Sequence, residues 1–292
     1  MPELPEVQTI ISDLNKKIVG YKIVDFWSDW PRAIKNKSLA NFQKEIRNRK
    51  ILNIRRIGKN IFIDLSGKKT LYIHLKMTGH LLVKTAIAKK QEPITKNYFE
   101  DKVNSYIHHI WTLRTTNQKP ITLEFSDMRK FAKIVLDDTK KINSLPEIRK
   151  LGMDVMDKKF TLKKFEEILD KSKSRAIGLV LMEQALMSGI GNIYRSEILY
   201  TAGVLPQRKI GLLSKSERIK IYRAIFIVLK KAIRLRGTSD SDYRDTAGAP
   251  GNFQKILGVY RRAGKHCRKC DTILKKIILG QRSAFYCPKC QK

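Results

Sequence analysis

Hydrophobic residues recur along this chain with two different periods. Near the N-terminus they follow the three-to-four-residue period of an amphipathic helix, at Val7, Ile10, Ile11 and Leu14. Over residues 61–65, isoleucine and leucine alternate with other residues, which is the two-residue period of a half-buried strand. The first part of the chain is therefore predicted to form one helix followed mainly by strands.

Strand patterns continue through the first half and are separated by turns. The predicted strands cover residues 18–26, 46–65 (interrupted by a basic turn at 55–60), 70–75, 81–83, 107–113, 121–125 and 133–136. Many short strands with turns between them favour a β-sandwich. Residues 86–106 are polar and rich in lysine, which predicts an exposed loop.

The pattern changes near residue 145, where helical periodicity takes over. The predicted helices cover residues 160–171, 177–187, 193–202 and 215–236. The glycine-rich segment 188–192 is either a simple interhelical turn or a place where the backbone approaches a phosphate. Residues 237–252 are rich in Gly, Ser, Asp and Thr, which predicts a long polar loop. Loops of this length are typically functional or disordered. We predict domains at 1–140, 145–255 and 256–292.

The charge balance indicates a polyanionic partner. The 292 residues include 60 Lys and Arg against 27 Asp and Glu, a formal net charge of +33. Phosphate backbone is the favoured partner for such a charge, although much of the excess is dispersed lysine and part of it could reflect a compositional bias. Hydrophobic residues make up 42% of the chain, which argues against global disorder.

We also expect a monomer in the cytoplasm. No apolar run approaches the ~18 residues of a membrane span, so no membrane partner is expected. The N-terminus contains acidic residues and lacks the apolar segment of a signal peptide.

The four cysteines predict a metal site. Cys267, Cys270, Cys287 and Cys290 form two Cys-x2-Cys pairs near the C-terminal end. Two such pairs suit one tetrahedral zinc ion, and a reducing cytosol favours zinc over the alternative of two disulfides. With all four positions filled by thiolates, the zinc would be structural.

The first residues combine an N-terminal amine with nearby acids. Removal of Met1, which a small second residue permits, would leave Pro2 with a secondary amine. An α-amino group has a pKa near ~8, so a large fraction is unprotonated at neutral pH and can form an iminium. Glu3 is adjacent and Glu6 follows one helical turn later. From these residues alone, an ordinary solvated N-terminus that happens to read Met-Pro is the favoured interpretation.

Three separated motifs together resemble the formamidopyrimidine-DNA glycosylase family of bifunctional base-excision repair enzymes. They are PELPEV at residues 2–7, GIGNIY at residues 189–194, and the four-cysteine finger with Gln281 and Arg282. Leu4 and the loop that begins at Gly237 are similar to the branch that acts on oxidised purines.

The resemblance implies an α+β multidomain fold. The parts would be an N-terminal β-sandwich with an N-terminal helix, a helical helix–two-turns–helix domain and a C-terminal four-Cys zinc finger. It also implies a partner, damaged double-stranded DNA, and a bacterial-type cytoplasmic protein associated with the nucleoid.

The resemblance further implies the roles of the site residues. Pro2 would attack the sugar C1′, and Glu3 would assist ring opening with Glu6 in support. Lys59 would contact phosphate and promote the first elimination, and Arg282 the second.

Six further residues match DNA-binding positions of the family. The resemblance implies that Met77, Arg129 and Phe131 fill the void left by the extruded nucleotide. It also implies phosphate contacts for Lys130, Lys173 and Asn192. Without the resemblance, Met77 and Phe131 would be interpreted as core residues, and the cationic side chains as solvated charges.

The chain departs from the family pattern at three places. Gly178 stands where a lysine near the lesion is usual, Ala132 replaces a glycine, and the 86–120 region is longer. The Gly178 departure puts lesion preference and efficiency in doubt but leaves the chemistry of Pro2 and Glu3 untouched. Two alternatives to an enzyme for oxidised purines stay open. One is an endonuclease VIII-like glycosylase for oxidised pyrimidines. The other is a non-catalytic zinc-ribbon protein that binds nucleic acid.

Overall fold

A computed structural model describes residues 1–85, 97–115, 118–240 and 242–292. The chain forms two compact units. The first comprises Met1–Arg149 together with Leu235–Asn252, and the second comprises Lys150–Arg234 together with Phe253–Lys292.

Two four-stranded antiparallel sheets form the first unit. One has the strand order β1-β6-β7-β5 and the other β2-β3-β4-β8. The strands are β1 Lys22–Ser28, β2 Ile51–Ile57, β3 Asn60–Leu65, β4 Lys69–His74, β5 His80–Thr85, β6 Ile107–Thr115, β7 Gln118–Ser126 and β8 Lys133–Asp138. Both sheets contribute buried side chains to one hydrophobic core, which includes Ile63, Trp111 and Phe125.

Helix α1, Leu4–Ile18, packs its apolar side into this core. It begins with a capping box, in which the side chains of Glu3 and Glu6 each accept a hydrogen bond from the other residue's backbone N–H. Asn15 fixes the helix to β2, because its side chain donates to the Ile54 carbonyl (2.6 Å) and accepts from the Ile54 N–H (3.2 Å). The chain's first residues are therefore held on the sandwich.

Within the described part of the first unit, three further α-helices follow: α2 Leu39–Ile46, α3 Thr139–Asn143 and α4 Pro146–Arg149. A strand was predicted to begin at residue 46, but this residue is the last of α2, and β2 begins only at Ile51. That boundary was wrong. Ser38 accepts a hydrogen bond from the Asn41 N–H and so starts the helix, while Phe42 and Ile46 bury one side of it.

The second unit is mainly helical and ends in a hairpin. Its helices are α5 Leu162–Asp170, α6 Ile177–Val180, α7 Asn192–Ala202 and α8 Lys215–Arg234. The short strands β9 Met153–Asp154 and β10 Met187–Ser188 pair in parallel, and β11 Lys275–Leu279 pairs with β12 Arg282–Tyr286 in antiparallel. Gly203, with a φ of 74°, ends α7 in the left-handed conformation that favours glycine.

The helix predicted over 177–187 is mostly absent, because α6 ends at Val180. The side chain of Gln184 explains the ending. It donates to the Ile190 carbonyl (2.8 Å) and accepts from the Gly189 N–H (3.0 Å), which stabilises a turn in place of further helix.

The predicted fold class is confirmed in its three parts. The three domain ranges remain predictions, and the loop at 235–252 packs within the first unit. Among the described residues, no helix is long and apolar enough to cross a membrane.

Candidate active site and nucleic-acid interface

Glu6 connects the N-terminus to the loop at residues 235–252. One carboxylate oxygen accepts the Glu3 N–H at 2.7 Å, and the other accepts the Thr238 N–H at 2.7 Å. Pro2, Glu3 and Glu6 are all buried. A Cβ at Gly237 would lie 2.7 Å from Glu6 Oε1, and Gly237 has a φ of 81°, so only glycine fits beside this carboxylate. The structure thus brings Pro2, Glu3 and Glu6 together with the start of the loop.

Lys59 lies on the tight turn between β2 and β3. Gly58 has a φ of 57°, which permits the turn. Arg56 ties the turn to α1, because its guanidinium donates to the Gln8 side chain (2.7 Å) and to the Gly58 carbonyl (3.3 Å). Lys59 is itself largely buried. Burial lowers the pKa of His74 to about 4, and the positive charges of Lys76 and Lys59 add to this effect. The ammonium is therefore held at a fixed place and not spread into solvent.

Met77, Arg129 and Phe131 project from two neighbouring loops, residues 75–79 and 127–132, which we call the void-filling loops. Met77 is 37% exposed and Phe131 51% exposed, so neither belongs to the core. The Arg129 guanidinium lies over the Phe131 ring, 4.7 Å from its centroid. Large apolar side chains kept in solvent next to an arginine suit insertion between bases.

Asp127 joins the two void-filling loops, and the sequence did not single it out. Its fully buried carboxylate accepts the Thr78 hydroxyl from one loop. It also accepts the backbone N–H groups of Phe131 (2.8 Å) and Ala132 (2.9 Å) in the other. The replacement of a glycine by Ala132 causes no backbone strain, because this residue lies outside the left-handed region. Lys130, by contrast, adopts a φ of 55°.

The 235–252 loop is anchored at several points in the first unit. Arg236 pairs with Asp13 and Asp245, and these two carboxylates raise the pKa of its guanidinium against the opposing effect of burial. Thr246 donates to Asp13 (2.9 Å), and the Thr246 carbonyl accepts the Val83 N–H from β5 (2.9 Å). The loop is therefore part of the folded unit.

In the second unit, Asn192 lies beside the strand that holds Arg282. Its side-chain amide, at the first residue of α7, donates to the Ser283 carbonyl at 3.1 Å. Arg282 is exposed next to the two-residue turn of Gly280 and Gln281, both with φ near 60° (57° and 60°), as a type I′ hairpin requires. The hairpin thus presents Arg282 at its tip.

Arg195 is a buried cation that sequence reasoning missed. Its side chain is fully buried, and its guanidinium donates to the carbonyls of Ser283 (3.1 Å) and Gly178 (3.4 Å) and to the side chain of Asn192. The available signal was an arginine directly after GIGNIY, within a helix that is otherwise mostly buried. Arg195 thus holds Asn192 and the finger strand in one arrangement.

The Gly178 departure has a packing explanation. A Cβ there would lie 2.7 Å from the Pro206 carbonyl oxygen and 2.9 Å from Leu279, so a lysine does not fit without movement. Arg175 pairs with Glu183 and is committed elsewhere. Lys173 is exposed, 3.9 Å from Asp170, and is free to turn towards an anion.

The four cysteines converge, and their geometry fits zinc. Their sulfur atoms all lie within 4.8 Å of one another. Tetrahedral zinc with Zn–S near ~2.3 Å places sulfur atoms about 3.8 Å apart. The Cys267–Cys290 and Cys270–Cys287 pairs are separated by 3.9 and 3.4 Å. Cys267, Cys270, Cys287 and Cys290 therefore form the site of one structural zinc ion, which fixes the base of the hairpin.

Comparisons with known proteins match the whole chain. Family models match at residues 1–134 (formamidopyrimidine-DNA glycosylase N-terminal domain), 151–243 (formamidopyrimidine-DNA glycosylase H2TH domain) and 264–292 (zinc finger found in FPG and IleRS). A formamidopyrimidine-DNA glycosylase of Pelotomaculum thermopropionicum is 36% identical over 292 residues, which cover 100% of this chain and 99% of the relative.

Solved structures of Lactococcus lactis Fpg are also similar. The complex with DNA containing an abasic site superposes with a TM-score of 0.84 at 29% identity, covering 100% of both chains. The complex with DNA containing Fapy-dG gives a TM-score of 0.82 at 30% identity, covering 99% of this chain and 100% of that one. With the three family models in the same order as the parts of the fold, the chain belongs to the formamidopyrimidine-DNA glycosylase family.

Proposed function

We propose that the protein is a DNA glycosylase and AP lyase that removes oxidised purines, such as 8-oxoguanine and formamidopyrimidines, from duplex DNA. The observation that supports this most directly is the Glu6 carboxylate, which holds the Glu3 N–H and the Thr238 N–H at 2.7 Å each. One side chain thereby fixes the residue next to the Pro2 nucleophile and the start of the loop that would cover the base.

The proposed chemistry begins at Pro2 once Met1 has been removed. The secondary amine attacks the sugar C1′, the bond from C1′ to the base breaks, and the base leaves with a proton. Glu3 donates a proton to the ring oxygen as the sugar opens, which leaves an iminium between Pro2 and C1′. Its buried position next to the amine supports this assignment.

Two eliminations would then cut the strand. Loss of a proton from C2′ expels the 3′ phosphate, and the fixed ammonium of Lys59 is suited to neutralise that phosphate. Arg282 would assist the second elimination at the 5′ phosphate. The product is a one-nucleotide gap bounded by phosphates. Zinc supplies no chemistry to these steps, since its ligand set is complete and it holds the hairpin in shape.

Extrusion of the damaged nucleotide costs a few kcal/mol, less for a damaged pair. Met77, Arg129 and Phe131 would occupy the space it leaves, with Arg129 donating to the unpaired base. Lys130, Lys173 and Asn192 would bind phosphates. We further propose that the protein acts as a monomer and that it is cytoplasmic and associated with the nucleoid, a location that suits a relative of bacterial enzymes.

Borohydride trapping tests the proposal. The wild-type protein should form a covalent adduct with a duplex containing 8-oxoguanine, and Pro2→Gly should abolish adduct formation on that lesion. Pro120→Gly, at an exposed proline of β7, is the matched control and should trap normally. Absence of a wild-type adduct on every lesion and on abasic sites would refute the enzymatic assignment and favour a non-catalytic zinc-ribbon protein.

Parallel cleavage of duplexes containing 8-oxoguanine or thymine glycol separates the two glycosylase classes. Faster excision of thymine glycol would instead favour the oxidised-pyrimidine alternative.

A further inference from the structure

The segment at residues 97–106, which we call the strap, lies against the 235–252 loop within the first unit. The Arg244 guanidinium donates twice to the Asp101 carboxylate, at 2.8 and 3.0 Å, and its side chain is only 12% exposed. Because the guanidinium is largely shielded from water and binds in two places, this pair ties the loop to the strap more firmly than a fully exposed pair would.

Asn104 makes the second connection between the strap and the loop. Its side-chain amide is almost completely buried and donates to the Tyr98 carbonyl (2.7 Å) and to the Gly248 carbonyl (3.1 Å). A Cβ at Gly248 would lie 2.7 Å from this amide nitrogen, and Gly248 has a φ of 76°. The two residues therefore fit closely, and the loop backbone has little freedom at this point.

His80 continues this contact towards the void-filling loops. Its Nε2 lies 2.8 Å from the Asn104 side-chain oxygen, and its Nδ1 lies 3.2 Å from the Thr78 carbonyl. Burial lowers the pKa of His80, so the ring is neutral with one N–H. The shorter distance assigns that N–H to Nε2, which donates to Asn104, so the approach of Nδ1 to the Thr78 carbonyl is a packing contact and not a hydrogen bond.

Thr78 in turn donates to Asp127, the carboxylate that joins the two void-filling loops. His80, Asn104, Thr78 and Asp127 are all buried, so these hydrogen bonds do not compete with bulk water. A continuous series of buried polar groups thus runs from the Gly248 backbone to the residues that hold Arg129 and Phe131.

We propose that Asn104 and His80 are positioning residues for lesion selectivity, which set the 235–252 loop in register with the void-filling loops. The proposal rests on the function proposed above. In that function the loop would contact the extruded base, whereas Pro2, Glu3 and Lys59 act on the sugar and phosphates. An abasic site has no base to hold. Loss of the Asn104 contact therefore reduces base excision and leaves strand cleavage at an abasic site intact.

The test compares two rates in the full-length protein. Asn104→Ala should lower the single-turnover excision rate on an 8-oxoguanine duplex about tenfold, as expected when a contact of ~1.4 kcal/mol is lost from the transition state. Its lyase rate on a preformed abasic duplex of the same sequence should stay within about twofold of wild type. Asn97→Ala, at an exposed asparagine of the strap, is the matched control and should leave both rates unchanged.

A second variant and a second measurement keep the test independent of folding. Arg244→Gln leaves the buried hydrogen bonds of Asn104 in place, and it should show the same selective loss of excision. Tryptic cleavage of native protein after Arg244 should be faster in Asn104→Ala than in wild type, because the loop is less firmly held.

The outcomes distinguish failure of this inference from failure of the proposed function. An equal loss of both rates in Asn104→Ala, or no loss of either, would overturn the inference. Absence of both activities in the wild-type protein would overturn the proposed function and this inference with it.

Discussion

Replacing Asp127 tests whether one carboxylate builds the surface formed by the void-filling loops. Two variants separate the role of its shape from that of its charge. Asp127→Ala removes the acceptor of the Phe131 and Ala132 N–H groups and of the Thr78 hydroxyl. Asp127→Asn keeps one oxygen for the two backbone groups and offers an N–H to Thr78, whose hydroxyl can turn to accept it.

The expected costs differ because the Ala132 N–H cannot reach water from its buried position. Each hydrogen bond to a charged acceptor contributes about 1.5–3 kcal/mol, so two lost backbone bonds give about 3–6 kcal/mol. Removing a buried carboxylate offsets part of this through relief of its desolvation. We expect a loss of about 3 kcal/mol in the free energy of unfolding for Asp127→Ala and about 1 kcal/mol for Asp127→Asn.

Urea unfolding measures this difference. The midpoint should shift further for Asp127→Ala at an unchanged slope, since the surface exposed on unfolding stays the same. Excision of 8-oxoguanine should fall in the same order, because Arg129 and Phe131 lose their support. Equal destabilisation by the two variants, or a cost below about 1 kcal/mol for alanine, would refute the role assigned to this carboxylate.

Three further predictions concern other parts of the chain. His109 is buried against Phe26, Trp111 and Phe125, and neither ring nitrogen has a hydrogen-bond partner among the described residues. Burial lowers the pKa of His109 to about 3. Below about pH 6.5 the unfolded chain therefore binds a proton at this residue that the folded protein does not bind. The contribution of His109 to the free energy of unfolding should be full above that pH and fall by about 1.4 kcal/mol per pH unit as the pH drops towards 3. Unfolding of His109→Phe at pH 7 and pH 5 should show a smaller loss than wild type, and an equal loss would contradict this cause. Arg195→Met should weaken binding of an abasic-analogue duplex about tenfold, and it should also lower the free energy of unfolding by about 1–3 kcal/mol, because the Ser283 and Gly178 carbonyls lose their buried donor. Arg175→Met, which removes a partly exposed arginine paired with Glu183, is its control, and an equal weakening there would show that only the net charge matters. Cys287→Ser should lower the zinc content below one equivalent per chain and weaken duplex binding, because the hairpin becomes disordered. Loss of zinc without any change in duplex affinity would exclude a role for the finger in DNA binding.

The features that the sequence predicted well are those that depend on local patterns. The alternation at 61–65 matches β3, and the two Cys-x2-Cys pairs converge as zinc requires. Helical periodicity at 177–187 predicted a helix where a side chain, Gln184, instead stabilises a turn. Such a contact depends on the three-dimensional position of the Ile190 carbonyl. Hydrophobic periodicity in the sequence gives no information about that position.

The same reason explains which site residues the sequence missed. Asp127 and Arg195 act on backbone groups and side chains of neighbouring loops, so their importance follows from the fold and not from a motif. The Gly178 departure, interpreted from sequence as a missing cation, becomes a packing requirement when Pro206 and Leu279 are seen beside it.

The two hydrogen bonds of Glu6 also have a consequence for biosynthesis. Glu6 and Thr238 are separated by 232 positions in the chain, and Arg236 reaches back to Asp13 in the same way. Such contacts can form only when both ends of the separated segment have been synthesised. The first unit therefore cannot be completed on the ribosome until residues up to 252, and with them the intervening Lys150–Arg234 of the second unit, have been synthesised. A nascent chain stopped earlier would leave Glu6 without the Thr238 N–H, so the surroundings of the N-terminus are completed only after the loop has been synthesised.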